Sequence, residues 1–164
     1  MTPLRRAGRG RLPDGSTVVW SVSEGSRGRR WREIRGTANG GLITSLLLET
    51  HPDGRFAHIE LSTATGLLTL HPEADGTLHG NVITEAGIRH IEGLPWTPRS
   101  IVLVDGSALG SAAALRTLVD GVAHGVRISL ELDVVAIHEA ISVEVDDDGL
   151  PMLADAAAWP LEAE

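Results

Sequence analysis

The chain has 164 residues, 42% of them apolar and 22% charged, with no cysteine and a formal net charge of −8. That length suits one domain with a buried core, and the lack of cysteine removes disulfides, thiolate nucleophiles and Cys-based zinc or iron–sulfur sites. All 14 basic residues are arginine and nine of them fall within positions 1–35, so the remainder is strongly acidic and a poor partner for nucleic acid.

Residues 1–12 carry Arg5, Arg6, Arg9 and Arg11 with Gly8 and Gly10 between them. They offer little to bury and are expected to form a disordered, dispensable tail, leaving 13–164 as a single β-rich domain. No apolar run follows them as it would in a signal peptide. No uncharged stretch approaches the roughly 18 apolar residues of a membrane-spanning helix, so no membrane span and a cytoplasmic location are expected.

Short strands are expected at 17–22, 30–37, 42–50, 56–62, 67–71, 77–84, 87–92 and 100–104. In 56–62, Ala57, Ile59 and Leu61 share one face while His58, Glu60 and Ser62 share the other, the alternation of a half-buried strand. Asp-Gly punctuates the chain at Asp14, Asp53, Asp75, Asp105, Asp120 and Asp148, and the dipeptide suits tight type I′ hairpin turns. The Pro-containing segment 93–98 cannot sit in a central strand and is a candidate lid that carries Trp96.

One segment, 107–119, is rich in Ala and Leu and reads as the only substantial helix. Leu109, Leu115 and Leu118 fall near one helical face and are expected to be buried against the sheet. Ser107 is expected to cap this helix. A nucleophile elbow is excluded there because Asp105 stands where G-x-S-x-G needs glycine. Beyond it, 124–134 alternates Val126, Ile128, Leu130, Leu132 and Val134 against Arg127, Ser129, Glu131 and Asp133 and reads as one strand, followed by another at 137–145. Together these elements predict an α+β, β-dominated fold: a curved antiparallel sheet of about nine to eleven strands with one helix on its concave side.

Chemistry-bearing patterns are sparse. The seven histidines show no metal-ligand spacing, although His58, His79 and His90 lie in expected strands and would converge if those strands were neighbours. Glu131 with Asp133, and the run Asp146–Asp148, read as solvated strand and turn residues; no calcium loop, phosphate loop or dinucleotide fingerprint is present. No metal, no cofactor and no catalytic residue is expected. Trp20, Trp31, Trp96 and Trp159 lie in or beside β segments and combine a flat apolar face with one donor, which suits either core packing or the wall of a ligand cavity.

Val18-Val19-Trp20 followed by Trp31-Arg-Glu-Ile-Arg-Gly36, a Pro-containing segment, a short helix ending Leu115-Arg116-Thr117-Leu118, then 142–150 and Trp159-Pro160-Leu161, form an order of features that resembles the bacterial glycolipid-binding family. The resemblance covers roughly 16–161 and departs from the family's pattern where Gly110-Ser111 replaces a Thr-Asn pair and Thr117 a basic residue. It implies a lipoprotein-carrier-like half-open barrel wrapped around a helix, and a non-enzymatic carrier or binding domain for an amphipathic ligand such as a lipid or glycolipid. The candidate ligand-binding residues are then Trp20, Trp31, Trp96, His58, His79, His90 and Arg116. The competing readings are an interaction domain whose interior is filled by its own side chains, and a hydrolase using strand histidines and carboxylates. A cavity of several hundred Å³ beneath the helix favours the carrier, a packed interior favours the interaction domain, and convergent His or acidic groups favour the hydrolase.

Overall fold

The computed structural model describes residues 3–12, 14–118 and 120–151, with the backbone of 162–163. Eight strands follow one another as an antiparallel meander: β1 (Arg5–Arg11), β2 (Thr17–Gly25), β3 (Gly28–Gly36), β4 (Leu42–Thr50), β5 (Phe56–Thr63), β6 (Gly66–Pro72), β7 (Thr77–Thr84) and β8 (Gly87–Pro95). A second layer holds β9 (Ile101–Val104), helix α1 (Ala108–Leu115), β10 (Val122–Ile128) and β11 (Val134–Ala140), and β12 (Glu162–Ala163) returns to β1. The large sheet has the order β12-β1-β2-β3-β4-β5-β6-β7-β8 and the small one β11-β10-β9. β8 does not close back onto β12, so the β-dominated fold is a curved, half-open sheet with, among the described residues, one short helix. Trp159 lies outside the described residues.

Alternation explains the main sheet. Val18, Trp20, Val22, Trp31, Leu46, Leu48, Ile59, Leu61, Leu68, Leu70, Leu78 and Val82 point to the inner face and are buried. They meet Val102, Val104, Leu109, Ala113, Val126, Ile128 and Leu132 from the second layer in one core. A smaller cluster of Ile101, Leu103, Ala114 and Ala123, with Leu118, Ile137 and Ile141 against it, forms a second apolar centre around β9.

Four expectations are corrected. The basic start is not a disordered tail: β1 pairs with β2 from Arg5↔Ser23 to Arg11↔Thr17. Ladder hydrogen bonds need backbone, not apolar side chains, and Gly8 opposite Trp20 is buried while Arg6 Nη1 donates to Asp146 at 2.5 Å and to Asp148 at 2.8 Å. The expected strand 124–134 breaks at Ile128. Ser129 Oγ accepts the N–H groups of Glu131 and Asp133, Leu132 takes φ +66° with its side chain fully buried, and the chain turns back as β11.

The Asp-Gly hairpin turns at Asp53, Asp75 and Asp148 are also not type I′, whereas Asp120-Gly121 carries positive φ at both residues, +57° and +70°, as type I′ needs. At His51-Pro52-Asp53-Gly54 the Gly54 N–H donates to the His51 carbonyl at 2.9 Å; the glycine is left-handed at φ +87°, while Asp53 keeps a negative φ. That is a type I turn followed by a left-handed glycine, and the Asp53 carboxylate accepts the Arg55 N–H at 3.1 Å. Glu73–Gly76 and Asp146–Gly149 repeat the same backbone bond.

The helix is the fourth correction. It ends at Leu115, and Leu115 and Leu118 are only half-buried, while the buried residues are Leu109, Gly110, Ala112, Ala113 and Ala114. Ser107 caps it as expected: its Oγ accepts the Gly110 N–H at 3.0 Å. Small alanines let the helix approach β9 and β3 closely, and Leu109 supplies the one large side chain at full burial. Leu109→Ala is therefore expected to cost about 2–5 kcal/mol in urea unfolding, and Leu115→Ala less. Equal losses at the two positions would contradict this packing.

Candidate functional site

The sheet separates the residues that the sequence grouped together. Trp20 and Trp31 project into the core, whereas His58, His79 and His90 alternate to the outer face. Each histidine is held by a local partner: His58 Nε2 lies 3.1 Å from Glu60 Oε1, His79 Nε2 lies 2.7 Å from Thr77 Oγ1, and His90 Nδ1 lies 2.6 Å from Asn81 Oδ1. Among the described residues no group of three His, Asp or Glu side chains is placed to hold a metal ion. Glu131 and Asp133 sit in the β10–β11 turn, and Asp146–Asp148 form a turn facing Arg6.

Beneath the helix the structure places a group that the sequence reading missed. On β3 the side chains of Arg29, Trp31, Glu33 and Arg35 all point inward. Glu33 is 1% exposed and accepts a hydrogen bond from Ser107 Oγ at 3.1 Å and one from the Leu109 N–H, which ties the sheet to the helix N-terminus. Burial pushes its carboxyl up to about 7, against the opposing pull of Ser107 and Arg35. Arg29 lies 5.1 Å above the Trp31 ring, and the Trp31 Nε1–H is buried with no acceptor. The available signal was the period of two: if Trp31 is buried, Glu33 shares its face.

Little room remains where the C-terminal half of α1 meets β4 and β5. The space between Leu48, Phe56, Ala113 and Ala114 amounts to about 10 Å³, no more than a water needs. Larger openings lie at one end of the sheet, on either side of the β4–β5 turn. The first, about 400 Å³, has Phe56 and Trp96 as its floor, Pro72 and Pro98 as walls, and His51 and Arg55 at its edge. The Phe56 and Trp96 rings meet edge to face at 5.4 Å, and Trp96 is 8% exposed, its backbone N–H donating to the Gly76 carbonyl at 2.9 Å. The segment 93–98 thus includes the end of β8, up to Pro95, and seats Trp96 just beyond it in this floor.

The second opening, about 540 Å³, lies across the β2–β3 turn and is lined by Arg5, Arg27, Arg29, Arg30, Glu24 and Glu49, and again by His51. Arg29 is 7% exposed; it donates to Glu24 at 2.5 and 2.8 Å and to the Asp148 carbonyl at 2.6 Å. Arg30 donates to Glu49 at 2.6 and 2.8 Å. Gly28 permits this end to close: at φ +118° a Cβ would lie 1.9 Å from the Thr50 carbonyl oxygen. Arg116 is the helix C-cap, beside Gly54 in the β4–β5 turn, where a cation complements the helix dipole.

Of the expected site residues, Trp96 alone therefore lines one of these two openings. His51, Arg55 and Phe56, which complete its surroundings, come together only through the turn that joins β4 to β5. No helix among the described residues is long and apolar enough to cross a membrane. Comparison of the chain with protein-family models, with curated proteins and with solved structures finds no match to any of them.

Proposed function

We propose that this chain is a non-enzymatic binding domain for an amphipathic molecule, held in the cleft floored by Trp96 and Phe56. The resemblance to the glycolipid-binding family supports the class of ligand, and the cleft itself carries the reading. Its volume of about 400 Å³ falls within the roughly 300–1,000 Å³ of small-molecule sites, and an apolar floor with a few polar groups at the edge is what such sites share. The ligand's place moves accordingly, from beneath the helix to the end of the sheet.

Titration with detergents, fatty acids and glycolipids tests this. Saturable change in Trp fluorescence is expected in the parent and loss of most of it in Trp96→Phe. Thermal stabilisation should accompany binding, about 2.7 kcal/mol when free ligand reaches a hundred times Kd. A flat response with no stabilisation by any amphiphile would reject the reading.

A second reading, an interaction domain with a filled core, is favoured by the near-absence of space under α1. Val19, Ile34, Ile83 and Ile88, exposed on the outer face, support it as well. Replacing Ile34 and Ile83 by Thr separates the two: it leaves amphiphile binding intact in the first and weakens partner association in the second.

A further inference from the structure

We infer that the arginine-lined cleft takes the anionic head of the same ligand, which makes the ligand class an anionic amphiphile with an oxyanion head. The inference rests on the reading of the Trp96 cleft as an amphiphile site and adds the chemistry of the head group.

Two observations place the head there. The apolar and arginine-lined clefts share His51, so a molecule whose chain lies on Phe56 and Trp96 presents its other end across the β4–β5 turn to the arginines. The charge is also unbalanced at this place: Arg5, Arg27, Arg29 and Arg30 face only Glu24 and Glu49. Those two carboxylates are occupied by Arg29 and Arg30. Arg5 and Arg27 are exposed and have no carboxylate partner among the described residues. In a chain of net charge −8, such a local excess of guanidinium is against the general trend, and the rest of the surface repels anions toward it.

Arg29 supports the same assignment. It is buried, it is fixed by Glu24, the Asp148 carbonyl and the Trp31 ring, and it gives the cleft a rigid cationic floor. The planar N–H fork of arginine matches the paired oxygens of a phosphate, sulfate or carboxylate.

The test compares decyl phosphate with decyl maltoside, which has the same chain and a neutral sugar head, both below their micelle concentrations, by calorimetry on the full chain. Inorganic phosphate is the third probe, and the double variant Arg5→Ser, Arg27→Ser is the control, since neither side chain is buried. Decyl phosphate is expected to bind about tenfold or more tighter than the maltoside, as charge-assisted hydrogen bonds would provide. That gap should close in the double variant while maltoside binding stays as it was. Equal affinity for the two amphiphiles, or a gap unchanged in the double variant, overturns the anionic assignment and leaves the amphiphile site standing. Inorganic phosphate binding as tightly as decyl phosphate overturns the joined site, because the chain then contributes nothing. Failure of both amphiphiles to bind rejects the Trp96 cleft itself, and this inference with it.

Discussion

Replacing Trp31 with alanine is expected to lower the stability by about 3–5 kcal/mol, the range for removing a large aromatic side chain from a packed core. Trp31 is 0% exposed, stands opposite Val22 on β2 and Leu48 on β4, and carries the Arg29 guanidinium over its ring. Its loss removes the packing of three strands at once and leaves Arg29 without its aromatic neighbour. A domain of this length shifts its Tm by about 2–4 °C for each kcal/mol, so a fall of about 6–20 °C is expected in a thermal scan. Trp31→Phe provides the comparison. The indole N–H has no acceptor in the core, so phenylalanine gives up volume but no hydrogen bond and should cost distinctly less than alanine. If Trp31→Phe were as damaging as Trp31→Ala, the N–H would have to be bonded in a way this packing does not allow.

The second large effect is a dependence on pH. Glu33 has its carboxyl raised from 4.5 to about 7 by burial, so in the folded protein it stays protonated where the unfolded chain has already ionised it. The folded state then binds more protons than the unfolded one between these two values. Stability from this group is therefore fully present below about 4.5 and is lost as pH rises toward 7. A shift of this size corresponds to about 3 kcal/mol at 1.36 kcal/mol per unit. The exposed turn carboxylates Asp14, Asp53 and Asp75 are held below their ordinary values by hydrogen bonds from Ser16, Arg55 and Thr77, and they act with the opposite sign at lower pH. Urea unfolding at pH 5 and pH 8 should show the parent weaker at the higher pH. Glu33→Gln keeps an acceptor for Ser107 Oγ and the Leu109 N–H but cannot ionise, so most of the difference should vanish. Parallel losses in parent and variant would assign the pH dependence to other groups.

The sequence by itself determined the strands that have one dry face and one wet face. Ile59 and Leu61 against His58 and Glu60 in β5 follow directly from a two-residue period, because a side chain one position along must point the other way. It also determined where the chain turns, since Asp-Gly supplies a left-handed residue with its own hydrogen-bonding carboxylate, and where the helix begins, since Ser107 is a capping residue before an Ala/Leu run. Tertiary structure decided the rest. β1 is made from arginine and glycine with a single alanine because the edge of β2 offers ladder bonds that no side-chain pattern records, and Arg6 reaches carboxylates 140 and 142 positions away. The turn at Ser129–Asp133 forms because β10 must double back, and burial of Leu132 holds it in a backbone conformation that its own propensity opposes. Burial of Glu33, the separation of the strand histidines from the tryptophans, and the meeting of two clefts at His51 all depend on which elements are stacked on which. A local pattern tells a residue which face it takes; only packing tells it what that face meets.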